Sequence, residues 1–396
     1  MATFAFTMGR RFVDTVLAYS KAPVWLVFIA ILFISCHSHS GPSSAESSQS
    51  DSSAVIQYAH GFAIDYFSNY TRLTVFNPWR KSEIEAVYYL VSRRDIHTPD
   101  ARSTILVPVH SLAATSCTHI AFLEALHQLS ALTGMASPEL VYSSAFQQLS
   151  LQGKMIDLGD PLHLNIEKIL KLHPQLVLMT NYNQVNVAAD QLIQAGVPIV
   201  YENEWMESTP LGRAEWIKFI AAFFQKGHMA DSIFNSLTKN YMALKQLAHK
   251  AQHTPTVLVG NNFKGTWYVP SGTGYMGQFL ADAKCNYYFS NDTTTGSIPL
   301  NFEQALEYFK DADVWLNCSS NSLTTLQNSD PRYQLFKAFR NKEVYSLNGR
   351  TTSLGGNDFW ESGVIHPDIL LRDYIRVLHP ALLPHQPLIY VLKLKE

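Results

Sequence analysis

Leu164-Asn165-Ile166-Glu167-Lys168-Ile169-Leu170 recurs in the second half of the chain as Leu300-Asn301-Phe302-Glu303-Gln304-Ala305-Leu306. The first Leu, the Asn, the Glu and the last Leu are identical. In each copy the asparagine is a natural N-cap, its side-chain oxygen accepting from an amide that the helix leaves unpaired. The glutamate then falls in the first helical turn, where free amides and the helix dipole favour a carboxylate by about 0.3–1 kcal/mol. Each copy runs through a short break into an apolar segment, 176–179 after the first and 314–316 after the second. A helix leading into a buried strand, met twice, predicts two α/β lobes built on one plan. Capping accounts for either glutamate singly. Two equivalent glutamates, one per lobe, also form a symmetric pair of charges suited to docking on matching arginines.

The flanking sequence extends both lobes. Before the first copy, 105–109 reads as a short apolar strand, 111–117 as a loop of small polar residues, and 119–129 as a helix spaced by Ile120, Leu123, Ala125 and Leu126. After it come a helix over 186–194, Gly196 in the usual place for a C-cap, and a strand at 199–201. Around the second copy, 257–259 and 344–346 read as strands, and 276–283, 331–339 and 367–378 as helices. Between the lobes, 210–250 places Trp216, Phe219, Phe223, Ile233, Leu237, Tyr241 and Leu244 at three-to-four spacing, with Gly227 as the interruption. About 40 residues of helix would reach ~60 Å, longer than one small lobe is wide. One long or once-broken helix joining the lobes is the economical reading, with two ordinary helices in one domain as the alternative. Ahead of the lobes, the alternating segments 62–66, 73–76 and 87–91 predict a small aromatic-rich sheet.

The amino terminus carries an export signal. An uninterrupted apolar run, Val24 to Ile34, follows Arg10, Arg11 and Lys21 and ends in Leu32-Phe-Ile-Ser-Cys36. Basic residues, an apolar run and a small residue before the cut are the parts of a secretory signal. The run is about half of the ~20 residues that a bilayer span needs. The last five residues resemble a lipobox, with Cys36 as the lipidated position; an ordinary signal peptide with a chance cysteine is the alternative. Residues 37–53 are mostly Ser, with no large apolar side chain, and read as a flexible tether. Met8 is an alternative start, and Arg10-Arg11 fits a twin-arginine signal poorly.

Composition excludes several classes. Removing the signal and tether leaves about 340 residues, suited to two lobes. The formal charge is −2 at pH 7 with no basic cluster, which argues against nucleic acid as a partner. Nineteen Tyr, 22 Phe and 7 Trp supply aromatic contact surfaces as well as cores. After Cys36 only Cys117, Cys285 and Cys318 remain, an odd count that makes no disulfide framework beyond one bridge at most and has no zinc spacing.

Taken together, the lipoprotein signal, Ser-rich tether, paired Leu-Asn-x-Glu helices and helix-linked α/β lobes resemble the substrate-binding proteins of ABC importers. The class they are similar to serves iron–siderophores, haem and cobalamin. The resemblance runs from Ile105 to about Pro380 and implies two Rossmann-like lobes, a long rigid linking helix and a ligand cleft between the lobes. The expected organisation is 1–36 signal peptide, 37–56 tether, 57–209 N-terminal lobe, 210–252 linking helix and 253–396 C-terminal lobe. It further implies that Glu167 and Glu303 grip the permease, that the protein is a monomer, and that it sits lipid-anchored at Cys36 on the periplasmic side of a bacterial membrane. No cofactor is implied; the ligand is expected to be a metal chelate.

Ligands of open α/β sheets sit outside the carboxyl ends of the strands. The facing loops then offer Trp267, Tyr268, Arg350 and Trp360 as the leading group, with Tyr182, Trp205 and His110 beside them. Flat rings suit a macrocycle; Arg and Tyr suit carboxylates or catecholates. Core packing is the alternative for each. Gly272-Thr-Gly274-Tyr-Met-Gly277 matches the dinucleotide fingerprint, but Pro270 closes the preceding strand and the spacing from 257–259 is long, so a loop turning into a helix is the better account. No G-x-S-x-G or comparable nucleophile arrangement appears, and no catalytic step is required. A bare zinc or manganese carrier, with scattered histidines as its weakness, and an exported α/β enzyme are the alternatives. Replacing Cys36 by Ala is expected to move the protein from the membrane to the soluble fraction; a variant that stays with the membrane would refute the anchor.

Overall fold

The computed structural model describes residues 50–294 and 296–396, so the expected signal, Cys36 and tether residues 37–49 lie outside the described residues. The described chain opens with a five-stranded sheet in the order Ser52–Ser53, Phe62–Tyr66, Thr71–Phe76, Ile84–Val91, Thr104–Leu106, antiparallel except for the last pair. Period-two alternation turns Phe62, Ile64, Leu73, Val75, Tyr88 and Leu90 into the core.

Two boundaries differ from expectation. The sheet begins inside the expected tether, where the Asp51 amide donates to the Tyr66 carbonyl and the Ala54 amide to that of Ile64. Backbone pairing needs no apolar side chain, so a Ser-rich composition conceals it. The apolar segment at 105 belongs to this sheet and not to the first lobe. The lobe's own first strand is Leu112–Ala114, buried between its neighbours and too short and alanine-rich to show in the sequence.

The N-terminal lobe is a parallel sheet ordered Ile199–Tyr201, Leu176–Met179, Leu112–Ala114, Leu132–Met135, Ile156–Asp157. The C-terminal lobe is ordered Asn286–Tyr287, Thr256–Val259, Val314–Cys318, Val344–Ser346, Leu392–Lys393, parallel up to the last strand. A small antiparallel sheet of Asn262–Phe263, Thr266–Pro270 and Ser297–Leu300 flanks it. In both lobes the strand order reverses beside the first strand. The repeated helices, Ile166–Leu172 and Phe302–Phe309, lead into the strand just across that point.

Both caps form as the repeat predicts. Asn165 accepts from the Lys168 amide at 2.9 Å. Asn301 accepts from the Gln304 amide at 2.8 Å, and Gln304 returns the bond to the Asn301 amide at 3.0 Å. Glu167 and Glu303 stand exposed on the first turns, Glu303 with Arg332 at 3.7 Å.

The connection between the lobes is broken twice, not once. It consists of Pro210–Glu215, Ile217–Ala222 and Gly227–Ala248, the last 22 residues and about 33 Å long. Trp216 ends the first piece, and Gln225 at φ 55 turns the chain before the third. The first two pieces are buried nearly all round, so their apolar residues continue the spacing of the long helix without sharing its axis. The long helix packs along the final helix Pro367–Leu378. Its Tyr241 hydroxyl donates to Asp282 at 2.7 Å.

Two buried carboxylates tie the N-terminal sheet to these helices. Glu215 accepts from the amides of Gln57, Tyr58 and Ala59 at 2.7–3.0 Å and from Lys218 at 3.0 Å. Glu207 accepts from the amides of His60 and Gly61 and from the Trp216 indole at 3.0 Å. Glycine is required at 61, where a Cβ would lie 2.6 Å from Trp216. Substituting Ala for Glu215 strands three amides and a lysine in a buried place. Urea unfolding is expected to show a loss of about 3–5 kcal/mol; a loss below about 1 kcal/mol would remove Glu215 from this anchoring role.

Candidate functional site

The crevice where the N-terminal lobe reverses strand order is laced by polar side chains. The Thr115 amide donates to the Leu178 carbonyl at 3.1 Å, and the Thr180 amide to the Thr115 hydroxyl at 3.3 Å. Ser116 caps the helix Cys117–Ala125, which brings Cys117 to the lobe's edge. The next loop presents Tyr182, and the segment after Ile199–Tyr201 presents Glu202, Glu204 and Trp205. Asn203 orders both loops, accepting from the Asn181 amide at 3.1 Å and donating to Glu85 at 2.7 Å. Along this rim lie three rings, Tyr182 to Trp205 at 5.6 Å and Trp205 to Trp79 at 6.3 Å between centroids. Tyr182 is 47% and Trp205 37% exposed, so both rings offer free faces.

The C-terminal lobe meets this edge through two loops. At its own reversal point, Asn261 accepts from the Ser319 amide at 3.0 Å. The glycine-rich loop 272–277 is shaped by close packing: a Cβ at Gly272 would sit 2.1 Å from the Ser290 carbonyl oxygen, and one at Gly277 2.1 Å from that of Ser271. Gly274 caps the helix Tyr275–Asp282 and sets Tyr275 against the Arg213 guanidinium, 4.4 Å from the ring centroid. Arg213 donates to Glu204 at 2.6 Å. Glu204 of one lobe, Arg213 of the connecting helices and Tyr275 of the other lobe thus form a buried bridge. Burial opposes the Arg213 charge, but Glu204 outweighs it and the guanidinium is held firmly ionised. Beside the bridge, His119 and Glu202 face each other at 3.3 Å, fully buried. Burial pushes the imidazole down to about 3, and burial with the Glu204 charge pushes the Glu202 carboxyl well up, so burial opposes the charged form of each.

The second loop, 350–361, closes on the N-terminal lobe. Glu361 accepts from the amides of Tyr142 and Ser143 at 2.6 and 2.9 Å. Arg350 lies 3.2 Å from the Tyr142 hydroxyl and 3.0 Å from Asp358. The Trp360 carbonyl accepts from the Cys117 thiol at 3.4 Å. Burial, with the charges of Glu361 and Glu204, pushes that thiol up to about 12, which keeps it protonated. Cys117, Cys285 and Cys318 are free thiols.

Four of the expected ligand residues are gathered where the lobes meet: Tyr182 and Trp205 on one side, Arg350 and Trp360 on the other. Trp267 is corrected to the core. It is wholly buried, donates to the Val259 carbonyl at 2.9 Å and packs on Trp315 and Phe336 at 5.4 Å. Alternation along its strand turns Trp267 and Val269 inward and leaves Tyr268 exposed opposite Pro299, outside the bridging contacts. His110 is also corrected. With the first lobe strand at Leu112–Ala114, it stands at that strand's amino end, its amide held by Gln175 at 2.7 Å, on the edge away from the cleft. Sequence reasoning missed Glu204, Arg213, Tyr275, Tyr142 and Glu361. The glycine-rich loop before Tyr275 and the acidic residues closing an apolar strand at 202–204 were the signals available.

Comparison with known proteins agrees with this geometry. The family profile described as periplasmic binding protein matches residues 116–351. An uncharacterized lipoprotein of Methanocaldococcus jannaschii is 28% identical over 361 residues, which is 84% of each chain. A periplasmic heme binding protein from Pseudomonas aeruginosa has a similar structure, with a TM-score of 0.56 at 17% identity, covering 71% of this chain and 96% of its own. The triscatecholate siderophore binding protein of Bacillus subtilis, complexed with ferri-bacillibactin, aligns with a TM-score of 0.52 at 17% identity over 70% of this chain and 94% of its own. A periplasmic vitamin B12 binding protein of Vibrio cholerae has a TM-score of 0.52 at 13% identity over 69% and 98%.

Glu361 makes the contact between lobes depend on pH. Burial, with Asp358 and Glu124 nearby, outweighs the two amide bonds and pushes its carboxyl from 4.5 up to about 7. Between those values the folded state holds a proton that the unfolded chain has released, so stability falls as pH rises through that window. The expected loss is about 1–3 kcal/mol between about pH 5 and pH 8, read from thermal unfolding. Glu361→Gln is expected to flatten this part of the profile; an unchanged slope would show that the carboxyl ionises normally.

Proposed function

The chain belongs to the periplasmic binding protein family, and from that premise we propose that it captures a chelated metal between its lobes and delivers it to the permease of an ABC importer. Iron–siderophore, haem and cobalamin are the cargo class. The observation that carries this reading is the aromatic row of Tyr182 and Trp205 on the N-terminal lobe with Trp79 of the N-terminal sheet, together with the Arg350–Trp360 loop of the other lobe, which reaches Cys117 on the same lobe edge. Flat rings with free faces suit a macrocycle or catecholate; the half-exposed Arg350 guanidinium, paired with Asp358 at 3.0 Å and bonded to Tyr142, would have to share that pairing with a ligand carboxylate. The buried Glu204–Arg213–Tyr275 bridge supports a stiff joint, so binding closes the lobes little. Lipid anchoring at Cys36 would keep the protein at the extracytoplasmic face of its membrane, next to the permease.

Glu167 and Glu303 are the docking pair in this reading. Both stand on capped first turns of equivalent helices, so their charges are exposed at fixed, symmetric positions. Arg332, already near Glu303 at 3.7 Å and bound to Asp330 at 2.8 Å, would have to yield to a permease arginine.

One set of measurements tests both halves. Titration of the protein with ferric siderophores, haemin, cobalamin, Zn²⁺ and Mn²⁺, followed by Trp fluorescence, is expected to show sub-micromolar quenching by one chelate. Tyr182→Ala with Trp205→Ala should weaken it at least tenfold, about 1.4 kcal/mol. Glu167→Ala with Glu303→Ala should keep that affinity and abolish uptake by cells. Binding to bare ions alone, or affinity lost with the glutamates, would overturn the corresponding half.

A further inference from the structure

A cavity of about 950 Å³ opens away from the cleft, between the N-terminal sheet and the connecting helices. Its size falls in the range of about 300–1,000 Å³ typical of small-molecule sites. It shares no lining residue with the Glu204–Arg213–Tyr275 bridge or with the aromatic row. The region matched to the family, which begins at residue 116, covers the helical wall of this cavity but none of the wall built by the N-terminal sheet.

One wall is aromatic. Phe62, Ile64 and Tyr66 share a face of their strand; the first two are buried in the core, while Tyr66 is 41% exposed at the cavity. Past the strand's end Phe67 and Tyr70 stack on each other at 4.6 Å with 23° between their planes, each covering one face of the other, and the Arg72 guanidinium lies 5.3 Å from the Phe67 centroid. The opposite wall is polar and comes from the helical connection: Gln225 at the break, then Asp231 and Asn235 on the long helix. Gln57 adds an exposed amide from the segment that Glu215 holds in place.

Charge decides the ligand class. Lys218 lines the cavity, but its ammonium is already taken by Glu215 at 3.0 Å, the Val55 carbonyl at 2.9 Å and Asp231 at 3.5 Å. It has little left for an anionic ligand. Asp231 is likewise partly neutralised by Lys218, which weakens the case for a cation. What remains is the half-exposed Tyr66 ring and the rim of the Phe67–Tyr70 stack, opposite side-chain amides, one imidazole and one carboxylate. Aromatic faces cover the C–H surface of a sugar ring, while amides and carboxylates satisfy its hydroxyls as both donors and acceptors.

We infer that this cavity is a second binding site, for a neutral saccharide, with the exposed Tyr66 ring and the rim of the Phe67–Tyr70 stack as its apolar side and Gln57, Asp231 and Asn235 as the hydroxyl partners. It is independent of the cargo cleft.

Isothermal titration calorimetry of the full chain with cellotriose, maltotriose and chitotriose tests the assignment. Saturable binding of at least one is expected. It should weaken at least tenfold in Tyr66→Ala and in Asn235→Ala, and stay unchanged in Tyr182→Ala. Asn235 is exposed on the long helix, so its variant carries the test even where Tyr66→Ala fails to fold. No binding by any of the three at about 10 mM, binding unaffected by the Asn235 variant, or binding lost in Tyr182→Ala would overturn the inference. Chelate titration reads the other site, so failure here leaves the cargo reading standing, and the reverse.

Discussion

Backbone amides gripped by buried carboxylates hold this molecule together. Glu215 and Glu207 take the amides of residues 57–61, Glu361 those of 142 and 143, and Asp373 those of 389–391. In each case the carboxylate sits on or beside a helix and the amides belong to an irregular segment, about 150 or more residues away in sequence for Glu215, Glu207 and Glu361 and 16 to 18 residues away for Asp373. Burying a carboxylate costs several kcal/mol, and only two or three well-aimed donors offset it. At Asp373 and Glu361 the balance still leaves the carboxyl raised, because burial outweighs the amides. Segments that carry no secondary structure of their own are thereby fixed in place: the approach to the N-terminal sheet, the loop where one lobe meets the other, and the lead into the last strand.

The joint between the lobes follows from the same logic. Arg213 is desolvated, so its charge is tolerable only with Glu204 at hydrogen-bond distance and the Tyr275 ring over its face. A guanidinium committed to both lobes resists any motion that would separate them. Beside it, burial shifts both His119 and Glu202 toward their neutral forms. In the proposed function, this joint would present a preformed cleft whose recognition rests on ring faces and edge charges and little on closure.

Most of the secondary structure was legible, because its signals are short-ranged. The helices 302–309 and 367–378 and the strand 344–346 stand where their spacing placed them. The failures share a cause. Leu112–Ala114 is a strand because two longer strands flank it, not because its residues favour one. Ser52–Ser53 pairs through its backbone. The connection at 210–250 keeps helical spacing through breaks at Trp216 and Gln225, since buried helices that turn a corner remain apolar on every side. Tyr182, Trp205, Arg350 and Trp360 were legible as polar-tipped or aromatic residues in loops after strands, and the fold brings them to the edge where the lobes meet. His110 was misplaced with its strand.

The sequence by itself determined what depends on neighbours three or four residues away: the two lobes of one plan, the capped helices that lift Glu167 and Glu303 to the surface, and the strands that alternate. Tertiary structure alone decided which side of an alternating strand is inside. Trp267 and Tyr268 are adjacent and alike in character, yet the layer of Trp315 and Phe336 claims the first and leaves the second to solvent. It also decided that Glu204, Arg213 and Tyr275 meet. No local rule relates them, because a buried charge finds its partner through the packing of whole lobes.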